Sequence, residues 1–184
     1  ATRPPTPAGT EHEPERVGAA AAQHAFELIR KLAELLEIWA VEPPAVLRTG
    51  GVGVRDVTAT AGRLDLDVER TTLLIELAYA AGLVADSHDE DPAWLPTPVY
   101  DAWLEMESAQ RWTAVATAWL SSPRVHALAG SRDDRGNRVP PLGKELERGH
   151  AVPLRTAALE ELAAAPPGTG LDADEVLAVL HWRR

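Results

Sequence analysis

The residues best suited to hold a cation form an acidic run in the middle of the chain. Residues 88–91 read His-Asp-Glu-Asp, which offers both oxygen and nitrogen ligands. Hard cations need several converging oxygens, however, and the six histidines are scattered, with no two at metal-ligand spacing on a helix. We therefore interpret the run as a solvated loop tip, and we expect neither a metal nor any other cofactor.

Arginine is concentrated in one part of an otherwise acidic chain. The formal net charge is −10, but residues 124–155 carry seven basic against four acidic residues. Arg132, Arg135 and Arg138 stand within a loop-forming sequence there, rich in Gly, Asp and Pro. Guanidinium groups pair well with phosphate, so these three arginines are candidate nucleic-acid contacts. The alternative, which we favour, is a solvated loop without a ligand.

The sequence shows no catalytic or nucleotide-binding motif. Residues 51–53 read Gly-Val-Gly, but the dinucleotide-binding motif requires a third glycine where Asp56 stands, and this carboxylate would repel a pyrophosphate. A phosphate-binding Gly-Lys-Ser/Thr sequence and a nucleophile elbow are both absent. Without cysteine, the chain has no thiolate nucleophile either. We expect a protein that is not an enzyme.

The elements that would position these residues are mostly helical. Apolar residues recur at helical spacing in three successive segments, residues 17–41, 54–64 and 68–81. Asp67 is expected to cap the third segment, and Gly82 to end it. The second and third segments, joined by a tight turn, form a helix-turn-helix.

A β-hairpin is predicted to follow the helix-turn-helix. Residues 83–85 and 93–95 are short strand candidates, and residues 86–92 between them are turn-forming or charged. A helix-turn-helix followed by such a hairpin is a winged helix-turn-helix.

The predicted fold class is therefore mostly α, with a short β-hairpin wing and a helical extension. Its parts are a disordered segment or linker at residues 1–16, the winged-helix domain at 17–106 and the extension at 107–184. The extension contains a mobile loop at about 123–152, because apolar periodicity is lost there. We expect it to lead into a further domain beyond Arg184.

The predicted winged helix is poor in the positive charge that DNA binding requires. Residues 43–107 carry four basic against twelve acidic residues. The second helix of the motif commonly reads DNA, and here Glu69, Thr72 and Glu76 are expected to face outward, with Arg70 beside them. Arg70 and Thr72 are thus candidate DNA contacts. Because phosphate contacts supply most non-specific affinity, we expect at most weak binding of the isolated chain to DNA.

Several short stretches of the chain have a distinctive amino-acid sequence. They include Leu-Arg-Thr-Gly-Gly-Val-Gly-Val-Arg-Asp-Val at 47–57, Leu-Leu-Ile-Glu-Leu-Ala-Tyr-Ala-Ala-Gly-Leu at 73–83, Trp-Leu-Pro-Thr at 94–97 and His-Trp-Arg-Arg at 181–184. These resemble a family of large proteins of high-GC bacteria with a helicase-associated region similar to the N-terminal domain of XPB-type helicases. The resemblance implies a winged-helix segment from the middle of a longer protein, a DNA-related role and no catalytic residues.

Two hypotheses for function follow. The first is a non-enzymatic winged-helix module of a helicase-associated protein, with a DNA-related role. The second is an interaction module without DNA binding, whose acidic surface meets a protein partner or another domain of the same protein. The sequence has neither an apolar stretch of membrane-spanning length nor a visible signal peptide, so we expect no membrane partner and a cytoplasmic location.

Overall fold

The computed structural model describes residues 7–183 and is mostly helical with two small antiparallel sheets, which confirms the predicted predominance of α-helix. The α-helices of this range are α1 (Pro14–Val41), α2 (Val54–Leu64), α3 (Val68–Ala80), α4 (Pro98–Leu104), α5 (Ser108–Ser121), α6 (Ala151–Ala164) and α7 (Ala173–Trp182). The strands are β1 (Thr10–Glu11), β2 (Val84–Asp86), β3 (Trp94–Pro96) and β4 (Thr169–Gly170). β1 pairs with β4, and β2 pairs with β3. No helix within residues 7–183 is long and apolar enough to cross a membrane.

The chain divides into two compact units, and their boundaries differ from the predicted ones. The larger unit is Phe26–Ala151, and the smaller combines the residues up to Ala25 with those from Val152 onward. α5 belongs to the larger unit because it packs against α3 and contributes Val115 to the same core. A division at residues 106 and 107 would cut through this core.

The core of the larger unit is built on one stripe of α1. Leu32, Leu35, Leu36 and Trp39 are at most 1% exposed. Their spacing places them on the same helix face, as the sequence pattern predicts. The Trp39 indole N–H also donates a 3.1 Å hydrogen bond to the Thr60 hydroxyl oxygen of α2, so α1 and α2 are held together by both packing and a polar contact.

A tight turn joins α2 to α3. Asp65 ends α2 in the left-handed conformation, with φ of 53°, which a short polar side chain tolerates better than a bulky one. The Asp67 carboxylate accepts a 2.7 Å hydrogen bond from the Arg70 backbone N–H. This is the helix cap that the sequence predicts for α3.

The hairpin of β2 and β3 gains a neighbour from the segment that follows α1. Ala45 forms an antiparallel bridge with Ala93, and the Trp94 N–H donates a 2.9 Å hydrogen bond to the Pro44 carbonyl. The order within the larger unit is therefore helix, short extended segment, two helices and hairpin.

The predicted mobile loop at about 123–152 is anchored in the core. Its buried side chains include those of Arg124, Val139, Leu142 and Leu146. It also contains two 3₁₀ helices, at His126–Leu128 and Lys144–Leu146, and α6 begins at its end. The sequence pattern missed these anchors because isolated apolar residues in a loop produce no periodic signal.

In the smaller unit, part of the predicted N-terminal linker has regular structure. β1 pairs with β4, and the His12 N–H donates a 2.8 Å hydrogen bond to the Gly168 carbonyl. α1 begins at Pro14 instead of Val17. Residues 1–6 of the predicted linker lie outside the described residues. The last helix, α7, starts with a capping box formed by Asp172 and Glu175.

Candidate nucleic-acid interface

The face of α3 that the sequence predicts to meet DNA is largely covered. Thr72 is 6% exposed and Glu76 is 5% exposed. The prediction that both face outward is therefore wrong, and Thr72 does not present its side chain to a ligand in this conformation. The cause is a second packing layer, because α5 and the first 3₁₀ helix of the following loop contact α3. Of the two residues of α3 predicted to contact DNA, only Arg70 is exposed. Its Nε lies 3.4 Å from the Asp67 carboxylate.

Glu76 is the centre of a buried polar network. Its carboxylate accepts hydrogen bonds from Arg124, Nε to Oε2 at 2.6 Å and Nη2 to Oε1 at 3.2 Å. Oε1 also accepts the Leu142 backbone N–H at 2.6 Å, and the Arg124 Nη2 donates to the Gly143 carbonyl at 3.0 Å. The Arg124 and Glu76 side chains are only 7% and 6% exposed. α3 and the loop after α5 are thereby tied together through charged groups shielded from water.

The network continues through aromatic rings to the hairpin of β2 and β3 and to the turn at residues 48–51, which we name the glycine turn. The Arg124 guanidinium lies over the Tyr79 ring, 5.1 Å from its centroid. Tyr79 in turn meets Trp94 edge to face, with the centroids 5.9 Å apart. The Trp94 indole N–H donates a 3.1 Å hydrogen bond to the Gly51 carbonyl. Four separate parts of the larger unit are thus joined by one continuous set of contacts.

Residues 130–139 form a small antiparallel hairpin, which we name the arginine hairpin. Backbone hydrogen bonds close its base, where the Val139 N–H donates to the Ser131 carbonyl at 2.9 Å. Its exposed side chains include the three arginines predicted as nucleic-acid contacts, Arg132, Arg135 and Arg138. The structure therefore brings these three together on one protruding element.

The tip of the arginine hairpin is closed by Asp133. Its Oδ1 accepts backbone N–H groups of Arg135 at 2.9 Å and Asn137 at 2.7 Å. Partial desolvation raises the pKa of the Asp133 carboxyl, but the hydrogen bonds from Asn137 and Arg135, together with the Arg135 charge, lower it by more, so the pKa lies below its usual value. At neutral pH the carboxylate thus stays ionised and keeps its hydrogen bonds to the backbone of the turn.

An open groove runs beside the arginine hairpin. Thr49 of the glycine turn lines it, together with Arg135, Arg138, Lys144 and Glu145. The remaining lining residues are Asp133, Asp134, Asn137, Val139 and Pro140. The lining contains no aromatic ring on which a nucleic-acid base could stack, so the groove offers charge without a stacking platform.

The acidic run at residues 88–91 lies between β2 and β3. The His88 Nδ1 is 3.7 Å from the Asp86 Oδ2, and the imidazole is 85% exposed. Within the part of the chain that the structure describes, no three His, Asp or Glu side chains converge in a way that could hold a metal ion.

Sequence reasoning gave no role to Arg124, although it fixes the loop after α5. Arg124 and Glu76 are 48 residues apart, and neither stands in a motif that would pair them. A glutamate in an otherwise apolar helix segment, as in Leu-Leu-Ile-Glu-Leu-Ala at 73–78, is the one local signal that a buried charge needs a partner.

Comparison with known proteins leaves the family open. No family model matches the sequence. No curated protein and no solved structure matches it either. The resemblance to helicase-associated proteins therefore stays a hypothesis based on the amino-acid sequences of short stretches.

Proposed function

We propose that the larger unit contains a winged helix of the helicase-associated kind that the sequence resembles. The support is the order of its elements: α1, the extended segment at Ala45, α2, α3, and then the hairpin of β2 and β3. In winged helices the second helix of the motif, here α3, is the one that commonly enters the major groove.

We further propose that this winged helix is a non-enzymatic module of a cytoplasmic, helicase-associated protein, and that α3 serves as a core element instead of a DNA-reading helix. The observation that carries this proposal is the buried pair of Glu76 and Arg124, which holds the loop after α5 against α3. Insertion of α3 into a groove would require breaking this pair and leaving two charges without partners, which costs several kcal/mol. Any DNA-related role then falls to other surfaces.

Thiol labelling tests the covered face directly, because the chain has no cysteine of its own. In Thr72→Cys the new thiol should react slowly with a maleimide under native conditions, whereas in Glu69→Cys, at an exposed position in the first turn of the same helix, it should react at the rate of a free thiol. Equal rates in the two folded variants would contradict the proposal.

A DNA titration tests its functional consequence. At about 0.15 M salt, we expect no measurable binding of the chain to random duplex in fluorescence anisotropy. Tight binding that Arg70→Ala abolishes would show that α3 docks in the conventional way, and would refute this assignment.

The second candidate function is an interaction module for a protein partner or a further domain. The observation that favours it is charge: residues 26–151 contain twenty acidic and thirteen basic residues, and Asp89, Glu90 and Asp91 are exposed between β2 and β3. Binding to a poly-lysine probe that is lost when these three become Asn, Gln and Asn, and is retained in Asp101→Asn, would favour this candidate.

A further inference from the structure

We propose that the arginine hairpin is the surface through which this chain contacts the phosphate backbone of duplex nucleic acid. The inference rests on the proposed function for its DNA-related setting, and it adds a specific surface and ligand class. It concerns Arg132, Arg135 and Arg138 of the hairpin. Arg135 and Arg138 line the groove beside the hairpin together with Lys144.

The first argument is the concentration of guanidinium groups on an exposed element. Three arginines lie within a hairpin of ten residues, and all three are exposed. Arg132 Nη1 donates a 2.6 Å hydrogen bond to the Gly136 carbonyl, so only the remaining N–H groups of this guanidinium can meet a phosphate. Each guanidinium offers a planar set of donors that suits phosphate oxygens, and it keeps its charge at any physiological pH.

The second argument is that one nearby carboxylate is already occupied. Asp133 accepts backbone N–H groups within the tip of the hairpin, so it closes the turn. Asp134 and Glu145 keep the local excess of positive charge small. A modest affinity that falls steeply with salt is the expected consequence.

The third argument is that the hairpin has a rigid base. Val139, at one end of it, is 5% exposed. The adjoining Leu142 and Gly143 are bonded to the Glu76 and Arg124 pair. Because the backbone at this base is already bonded, binding should cost little backbone ordering entropy, although the arginine side chains still lose rotamer freedom.

The fourth argument concerns the kind of ligand. The groove lacks aromatic rings, so it cannot stack the bases of a single strand. The groove is open, and its positive charges lie on separate side chains, Arg135, Arg138 and Lys144. This arrangement suits a ligand with regularly repeated anionic groups. The phosphates of a duplex have this character, and contacts to them carry no sequence information.

Fluorescence anisotropy of the whole chain with a labelled random duplex tests the inference, in a salt series beginning at about 0.02 M. The triple variant Arg132→Ala, Arg135→Ala and Arg138→Ala should weaken binding at least tenfold at the lowest salt. It should also reduce the slope of log Kd against log salt by about 3, because three phosphates are no longer neutralised. Arg70→Ala is the matched control, an exposed arginine of the same unit, and should change Kd less than twofold.

A second triple variant, in which the same arginines become Lys, shows whether the Ala variant binds weakly because it lacks positive charge or because the hairpin is misfolded. It should keep the salt slope of the original chain, since lysine also neutralises phosphate. A slope reduced as much as in the Ala variant would overturn the inference, and so would a stronger effect of Arg70→Ala than of the triple Ala change.

Two further outcomes would also overturn it. Poly-glutamate that binds the chain at least tenfold more tightly than the duplex does, at the same salt, would point to an acidic protein as the ligand instead. Absence of binding at the lowest salt would remove the hairpin as a nucleic-acid contact, but it would leave the assignment of α3 as a core helix intact, because the thiol labelling of Thr72→Cys tests that assignment separately.

Discussion

Glu76 of α3 and Arg124 of the loop after α5 form a two-point ion pair, with N to O distances of 2.6 and 3.2 Å. Both side chains are more than nine-tenths buried. Such a pair adds little stability over an apolar pair of the same shape, but the loss of one partner leaves a charge buried without compensation. The pair therefore specifies where the loop lies against α3.

Glu76→Ala should lower the free energy of unfolding by about 3–5 kcal/mol, because Arg124 and the Leu142 N–H lose their acceptor. If Glu76 faced outward, as the sequence predicts, the same substitution would hardly change the free energy of unfolding. Urea denaturation measures the change. Glu69→Ala, at an exposed position in the first turn of α3, is the control and should cost less than about 1 kcal/mol. The double variant Glu76→Ala with Arg124→Ala should lose less than the sum of the single losses, and strict additivity would show that the two residues act independently.

Thr60→Val should destabilise the contact between α1 and α2. The Thr60 hydroxyl oxygen accepts the Trp39 indole N–H and itself donates to the Asp56 carbonyl at 2.8 Å. Valine has the same shape but leaves the buried indole N–H without an acceptor, which costs about 1–3 kcal/mol. Thr58→Val is a close control, because the Thr58 hydroxyl makes the same bond to the carbonyl four residues earlier, at Val54, but is exposed. Thermal melts that show equal losses for the two changes would contradict this account.

Gly51→Ala should destabilise the larger unit much more than Gly50→Ala. Both glycines have positive φ, 88° and 83°, so alanine costs about 1–2 kcal/mol in backbone strain at either position. A Cβ on Gly51 would also lie 2.5 Å from the Pro141 carbonyl oxygen, whereas one on Gly50 meets nothing within 4 Å. We expect the Gly51 change to cost about 3 kcal/mol or more. Chemical denaturation of both variants checks the difference, and similar midpoints would place the loop after α5 away from the glycine turn.

Brief trypsin digestion should cut first after Arg135, at the exposed tip of the arginine hairpin. It should spare Arg124, because cleavage there requires release of a side chain that is held by Glu76 and Gly143. Mass spectrometry of the first fragments decides the order. Early cleavage after Arg124, or after Arg70 within α3, would show that the loop after α5 opens readily.

Local patterns in the sequence were sufficient to place most helices of the larger unit. The spacing of Leu32, Leu35 and Trp39 identified the buried stripe of α1, since burial of one helix face leaves a repeating signal. The cap at Asp67 followed from side-chain chemistry that acts within three residues. The two short strands of the hairpin were likewise marked by the turn residues between them.

The orientation of α3 is the feature that local patterns predicted incorrectly. With an apolar face on one side, the opposite face carrying Thr72 and Glu76 was expected to meet solvent. Between Thr71 and Ala78, α3 is instead covered on both faces, by α5 and by the loop after it, whose anchors such as Leu142 and Leu146 are scattered in sequence. A loop of this kind has no period, so its packing partner cannot be deduced from spacing.

Residue type and near neighbours alone account for the helical character, the boundaries of α2 and α3, the overall acidity and the set of arginines at 132–138. Three other relationships emerge only when the chain is folded: Glu76 meets Arg124, Gly51 lies against Pro141, and the three arginines share one exposed hairpin. The first two of these join residues far apart in the chain. Their geometry depends on how whole elements pack and on which buried charges find partners, and neither is encoded in any single stretch of sequence.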